Sequence, residues 1–221
     1  RFMWMGATYG DSGNPVMSTK KLAGETATLL APNGLGRSDH VYIHGAGNLT
    51  SVSSLAKFHP YEIGLDNCRK LKTLLIGSNA NGYTNGSLTS LDTSSCTLLE
   101  TLNVQGCTGF TNTPINLGSN KLIRKVYAAG STVPYFTLPT GGILDTLELG
   151  TPKRIDLQDL SYMTSFSYTS LNELVMLRVE NTPNVDVLAI LSARLENLRL
   201  GIRLVGIDCN MTDTTVALLK D

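Results

Sequence analysis

The amino-acid sequence predicts a repeat solenoid of short parallel strands, and three observations carry that prediction. An L-x-x-L frame recurs along the chain, a short strand and then a small or amide residue follow the copies, and most successive copies lie 21 to 30 residues apart. The clearest echo is Leu88-Thr-Ser-Leu91-Asp-Thr-Ser-Ser-Cys96, repeated 11 residues later as Leu99-Glu-Thr-Leu102-Asn-Val104-Gln-Gly-Cys107.

The frame returns as Leu71-Lys-Thr-Leu74-Leu-Ile76 ending at Asn79, and as Ile123-Arg-Lys-Val126-Tyr-Ala128 ending at Ser131. Two further copies are Leu144-Asp-Thr-Leu147-Glu-Leu149 and Leu174-Val-Met-Leu177-Arg-Val179. The second positions Leu74, Leu102, Val126, Leu147 and Leu177 are separated by 28, 24, 21 and 30 residues. Those steps bracket the leucine-rich-repeat period of about 20 to 29 residues, so the fold class is a leucine-rich-repeat solenoid. Val41 to Leu55 reads as a first unit and Leu198 to Ile207 as a degraded last one. One unit cannot bury its own leucines, so five or six stacked units supply the core and their parallel strands share one face.

Between the frames the elements are short. Gly77 to Ser87 is too rich in Gly and Asn for helix or strand and reads as a loop. Ile155-Asp-Leu157, after Pro152, reads as an extra strand on the back of the solenoid. Short strands, turns and extended back segments dominate, with little helix, confined to Val185 to Leu191 and the C-terminal segment. Residues 1–39 read as an N-terminal lead-in or linker, 40–211 as the solenoid and 212–221 as the start of a helix capped by Asp213. The hydrophobic opening Phe2-Met3-Trp4-Met5 and the unfinished final helix predict an internal piece of a longer polypeptide.

Composition narrows function. Charged residues are only 16% of the 221, with 18 basic against 18 acidic, so no electrostatic footprint for nucleic acid or an anionic membrane is expected. No run of about 18 apolar residues marks a membrane span. The four cysteines, Cys68, Cys96, Cys107 and Cys209, include no C-x-x-C pair, so zinc and redox sites are not expected. Cys68, Cys96 and Cys107 read as small buried side chains at the turn position often filled by Asn, and mostly free thiols are expected.

Enzyme chemistry has little support. Tyr42-Ile-His44-Gly45-Ala-Gly47 faintly resembles an oxyanion-hole loop, yet no G-x-S-x-G nucleophile accompanies it, and a strand and turn is the better reading. His40 and His59 lack metal-ligand spacing. Gly34-Leu-Gly36 lacks the rest of a dinucleotide fingerprint. Asn79-Ala-Asn81-Gly-Tyr-Thr-Asn85 has the oxygen spacing of a calcium loop but no carboxylate and no closing Glu, so it reads as a surface loop. Sequons occur at Asn48, Asn85 and Asn210. No catalytic residue, cofactor or metal is expected.

The informative surface is the outward position of each strand: Leu75, Asn103, Tyr127, Glu148, Arg178 and Arg203. Stacked in register, they form one stripe beside Gly77, Gln105, Ala129, Gly150 and Glu180. A mixed apolar, aromatic and charged stripe suits protein or glycan contact more than nucleic acid. The bland alternative is solvated strand residues, with Glu148 and Arg178 as a weak surface pair.

From about His40 onward the chain resembles leucine-rich-repeat proteins of tailed bacteriophages and prophages, especially of gut bacteria. The residues that carry this are Val41-Tyr-Ile-His-Gly-Ala46, Leu99 to Cys107, Val126-Tyr-Ala-Ala-Gly-Ser131, Arg178-Val-Glu-Asn-Thr-Pro183 and Arg203-Leu-Val-Gly-Ile-Asp208. The last two are the more specific, and Cys209 departs from the pattern, which places Trp after G-I-D. The resemblance implies a virion structural component of a tail, collar or other exposed appendage, present in multiple copies. Its partners would be other virion proteins or a host-surface protein or glycan. The alternative is a secreted or cell-surface bacterial adhesin.

Overall fold

The computed structural model describes residues 2–8, 15–22, 40–44, 48–53, 59–80, 82–192 and 203–208. In chain order its elements are β1 (Phe2–Thr8), β2 (Pro15–Leu22), β3 (His40–His44), β4 (Ser51–Val52), β5 (Glu62–Gly64), β6 (Thr73–Leu75), β7 (Thr101–Asn103) and β8 (Ile115–Asn116). They continue with β9 (Lys125–Tyr127), β10 (Phe136–Thr137), β11 (Thr146–Leu149), β12 (Arg154–Gln158), β13 (Ser165–Tyr168), β14 (Met176–Glu180), the helix α1 (Val187–Ser192) and β15 (Arg203–Asp208).

Each regular turn enters its strand through inward side chains three residues apart. Cys68, Leu71 and Leu74 are fully buried, as are Cys96, Leu99 and Leu102, then Asn120, Ile123 and Val126. Tight i to i−3 bonds set that spacing: Leu71 N donates to Cys68 O at 3.0 Å, Leu99 N to Cys96 O at 2.9 Å and Ile123 N to Asn120 O at 3.0 Å. The strand then alternates, so Leu102 and Val104 point inward while Thr101 and Asn103 face out.

Stacking these turns gives a six-stranded parallel sheet in the order β4-β6-β7-β9-β11-β13. Its inward rung runs Val52, Leu74, Leu102, Val126, Leu147, Phe166. A recurrent closure locks the register, because two successive N–H groups converge on one carbonyl of the turn before. Glu100 and Thr101 N both donate to Lys72 O at 2.8 and 2.9 Å, and Arg124 and Lys125 N to Glu100 O at 2.8 and 3.1 Å. The chain is therefore a leucine-rich-repeat type solenoid of parallel strands.

Opposite this front ladder the chain returns through extended segments whose inward side chains close the same core: Ile63 and Leu65, Leu91, Ile115 and Leu117, Phe136, Ile155 and Leu157, Leu177 and Val179. Parts of this back ladder are regular sheet. β8 pairs with β10, β12 with β14 and β14 with β15, all parallel. β3 pairs parallel with β5, and β1 and β2 add antiparallel strands beyond β3. The one helix among the described residues, Val187–Ser192, falls where helix is expected, and the C-terminal segment lies outside the described residues.

The structure corrects the repeat in three places. Leu177 does not follow Leu147 on the front ladder; it pairs with Ile155 on the back, and the front rung continues instead to Phe166, a unit of Met163 and Phe166 that the leucine frame passes over. Leu88 to Cys96 is not a front unit either, since Leu91 and Thr93 form an extended back segment and Cys96 opens the next turn. Third, Cys68 and Cys96 stand at the start of their turns, and of the three described cysteines only Cys107 stands at the end, with its N–H bonded to Val104 O at 3.1 Å.

Leu102→Ala is expected to cost about 2 to 5 kcal/mol, because stacked neighbours on both sides prevent the cavity from collapsing. Leu71→Ala is expected to cost a similar amount, because Leu71 is also fully buried and Leu49 packs against the same core. Urea unfolding of both variants checks this, and a loss below about 1 kcal/mol at Leu102 would contradict the register. A second pair tests the turn stacking. A Cβ on Gly150 would overlap the backbone of Ser131, whereas one on Gly82 meets nothing within 4 Å at a φ of +79°. Gly150→Ala should cost at least about 1 to 3 kcal/mol by overpacking, and more than Gly82→Ala, whose cost is confined to the left-handed backbone.

Candidate functional site

The front sheet brings four of the six stripe residues into one row. Leu75 stands beside Asn103, Asn103 beside Tyr127 and Tyr127 beside Glu148, one rung apart, and Ser167 extends the row. Leu75, Asn103, Tyr127 and Glu148 are all half-buried. Arg178 and Arg203 do not belong to it, because β14 and β15 lie on the back ladder. There Arg178 neighbours Asp156, while Arg203 aligns with Met176 across an irregular register. The Glu148–Arg178 pair does not form: Arg178 Nε donates to Glu180 at 3.1 Å.

Glu148 is held instead from the front. Gln105 Nε2 donates to Glu148 Oε2 at 2.9 Å across the intervening rung, where Ala129 is small. Gln105 Oε1 accepts from Asn103 Nδ2 at 2.9 Å, and Gln105 N donates to Asn103 Oδ1 at 2.9 Å. This chain of bonds fixes three outward side chains around Tyr127, so a partner would meet a pre-organised surface. The parallel outward row is Thr73, Thr101, Lys125, Thr146 and Ser165, mostly hydroxyls, and beside it Lys72 Nζ bonds Glu100 Oε1 at 2.8 Å.

A second row lies on the turn edge next to this face, and the leucine frame does not reveal it. The residue before each inward turn position is Leu98, Leu122, Ile143 and Tyr162 in four successive turns, in the register set by the Glu100, Arg124, Asp145 and Thr164 ladder bonds. Leu98 is 36% exposed, Leu122 40% and Tyr162 62%, so large apolar groups stand open to solvent in line. An apolar line of this kind is a candidate contact surface. The available signal was the position preceding each inward Leu, Ile or Met.

Among the described residues no group of three or more His, Cys, Asp or Glu stands together to hold a metal. No described helix is long and apolar enough to cross a membrane. His40 and His44 lie in β3; Gly45 to Gly47, Gly34 to Gly36 and Asn81 lie outside the described residues. His59 packs its ring 5.3 Å from that of Tyr83. Asn85 is buried at 1% exposure: its Nδ2 donates to Pro60 O at 3.0 Å and its Oδ1 accepts from Ser87 N at 3.0 Å. That sequon is closed by folding. Asn48 is exposed, with its Oδ1 accepting from Lys70 Nζ at 2.9 Å; Asn210 lies outside the described residues.

Compared with known proteins, the chain matches no family model, no curated protein and no solved structure. Its functional reading therefore rests on its own residues.

Cys68, Cys96 and Cys107 are free and fully buried, as the sequence predicts; Cys209 lies outside the described residues. Asn120 occupies the position of Cys68 and Cys96 one turn on, where its Nδ2 donates to Cys96 O at 2.7 Å and Thr93 O at 3.1 Å. Burial, then the Asp66 charge, pushes the Cys68 thiol up to about 11; burial first, then Cys68 and Asp92, takes Cys96 to about 12, and burial alone takes Cys107 to about 12. These are inert thiols rather than nucleophiles. Because the folded values exceed those of an unfolded thiol, about 8.5, their contribution is complete below that pH and is lost as pH climbs toward 11 to 12. Unfolding free energy should hold steady between pH 7 and 8 and fall by about 1.4 kcal/mol per pH unit per thiol above 9. Cys107→Ala should make the alkaline slope shallower, and an unchanged slope would show that this thiol does not titrate on unfolding.

Proposed function

We propose that this solenoid is a non-enzymatic interaction module of a bacteriophage particle, part of a tail, collar or other exposed appendage, that presents its front face to other virion proteins or to a host-surface protein. The observation that carries the interaction role is the line of exposed Leu98, Leu122 and Tyr162, with the half-buried Ile143 between them, beside the Leu75, Asn103, Tyr127 and Glu148 row. Such apolar and aromatic groups at regular spacing, rimmed by charges of both signs, suit a protein partner. The virion context is supported by the phrases Arg178 to Pro183 and Arg203 to Asp208 in a solenoid that supplies no catalytic constellation among its described residues. Multiple copies follow from that context, and the absence of net charge leaves them no long-range repulsion.

Protein sequencing of purified phage particles tests the context. Peptides of this chain in particles support it, whereas their presence only in a bacterial envelope fraction would favour the surface adhesin. The face itself is tested by Tyr127→Ala and Leu122→Ser. Each should leave thermal unfolding nearly unchanged, within about 0.5 to 1 kcal/mol, since neither side chain belongs to the core. Each should weaken particle incorporation or cell binding by about 2 kcal/mol if it anchors the partner. Lost stability with intact assembly would overturn the register, and unchanged assembly in both would remove the front face from the function.

A further inference from the structure

The back ladder is broken between β10 and β12, and the break is lined with side chains that no part of the front-face role uses. β10 pairs with β8 on one side, yet it forms no strand ladder with β12, whose one strand partner among the described residues is β14. Lys153 and Arg154 N still converge on Pro134 O at 2.8 and 3.1 Å, so the two segments start side by side. Beyond that closure the sheets separate, and the turn at Pro139 to Gly142 carries the β10 side away. A cleft of about 270 Å³ opens, lined by Tyr135, Thr137, Thr140, Arg154, Asp156 and Gln158.

The lining is built rather than incidental. Asp156 lies between two partners: Arg154 Nη2 bonds one oxygen and Gln158 Nε2 donates to the other at 2.7 Å. The Arg154 guanidinium carbon stands 5.5 Å from the centre of the Tyr135 ring, while its Nε is buried with no hydrogen-bond partner. That N–H lies beneath the surface and out of a ligand's reach, so recognition falls to the groups that face the cleft. Gln158 Oε1 and the carboxylate retain acceptor capacity, and the Thr137 and Thr140 hydroxyls can donate or accept.

The ligand chemistry follows from charge and size. One guanidinium and one carboxylate cancel, and the carboxylate in the lining repels a phosphate or an acidic group. Donors and acceptors both line the cleft beside Tyr135, Phe136 and Leu138, a mixture that suits the hydroxyls and apolar C–H face of a sugar. The volume, about 270 Å³, falls just below the range of clefts for drug-sized ligands, which starts at about 300 Å³, and so limits the occupant to one small unit. We propose that this back-ladder cleft binds a single neutral pyranose unit, free or as part of a glycan, at a site separate from the front face.

Titrations of the whole chain with D-glucose, D-galactose, D-mannose and N-acetyl-D-glucosamine, followed by ligand-observed NMR, test this directly, with acetate as the anionic probe. At least one sugar should saturate, and Tyr135→Ala and Gln158→Ala, chosen to leave the Arg154–Asp156 pair in place, should each weaken it about ten-fold or more. Failure of every sugar to saturate would overturn the proposal, as would competition by acetate, which would make this an anion site. Tyr127→Ala on the front ladder separates this site from the assembly role. Loss of sugar binding in that variant would move the site off the back cleft, while loss of particle incorporation with sugar binding retained would leave the cleft standing.

Discussion

No turn of this chain can shield its own inward side chains, and the architecture depends on that shortfall. A single loop through Cys96, Leu99 and Leu102 leaves both flanks of its leucines open, and only a copy above and a copy below remove them from water. The columns Leu71, Leu99, Ile123, Leu144, Met163 and Leu74, Leu102, Val126, Leu147 are almost wholly buried for this reason, while Phe166, at the end of the second, is half-buried. Backbone pairing serves the same stacking. Two N–H groups per turn share one carbonyl of the turn before, which fixes the register and so aligns the columns.

With the front register fixed, variation in turn length has to be absorbed elsewhere. The long step before Leu102 is taken up by the loop that leaves at Gly77 and returns at Asn85, where the Asn85–Cys107 bridge restores the parallel alignment. Asn85 closes that loop as a cap, satisfying the backbone of Pro60, Ser87 and Leu88. Close turn contacts explain glycine at positions 77 and 150, where any side chain would displace the neighbouring turn. On the back ladder the shortening of the turns has a different outcome, since Phe136–Thr137 and Arg154–Gln158 part company instead of pairing.

Outward positions are released from these constraints, and there the sequence can serve a partner without loss of fold. The front face is stiffened by the Asn103, Gln105 and Glu148 bonds, so its shape is set before any encounter. Its neighbouring edge is apolar and open, whereas the back cleft is polar and charge-balanced. Two surfaces of such different chemistry on opposite ladders fit two kinds of contact, one with protein and one with a small polar ligand.

The sequence by itself determined the repeat, the inward leucines and the absence of net charge, because burial on a stacked strand demands apolar residues at fixed spacing wherever the strand lies. Leu75, Asn103, Tyr127 and Glu148 were legible as one row for the same reason. What it did not determine was which ladder a given frame joins. Leu174 to Leu177 and Met163 to Phe166 both satisfy the inward spacing, and the two ladders enclose one core, so their burial patterns are alike. Only the hydrogen bonds between turns send Phe166 to the front and Leu177 to the back, taking Arg178 and Arg203 out of the row. The Tyr135 and Arg154 cleft was likewise beyond the sequence, since it arises where two segments distant along the chain start side by side and then fail to pair.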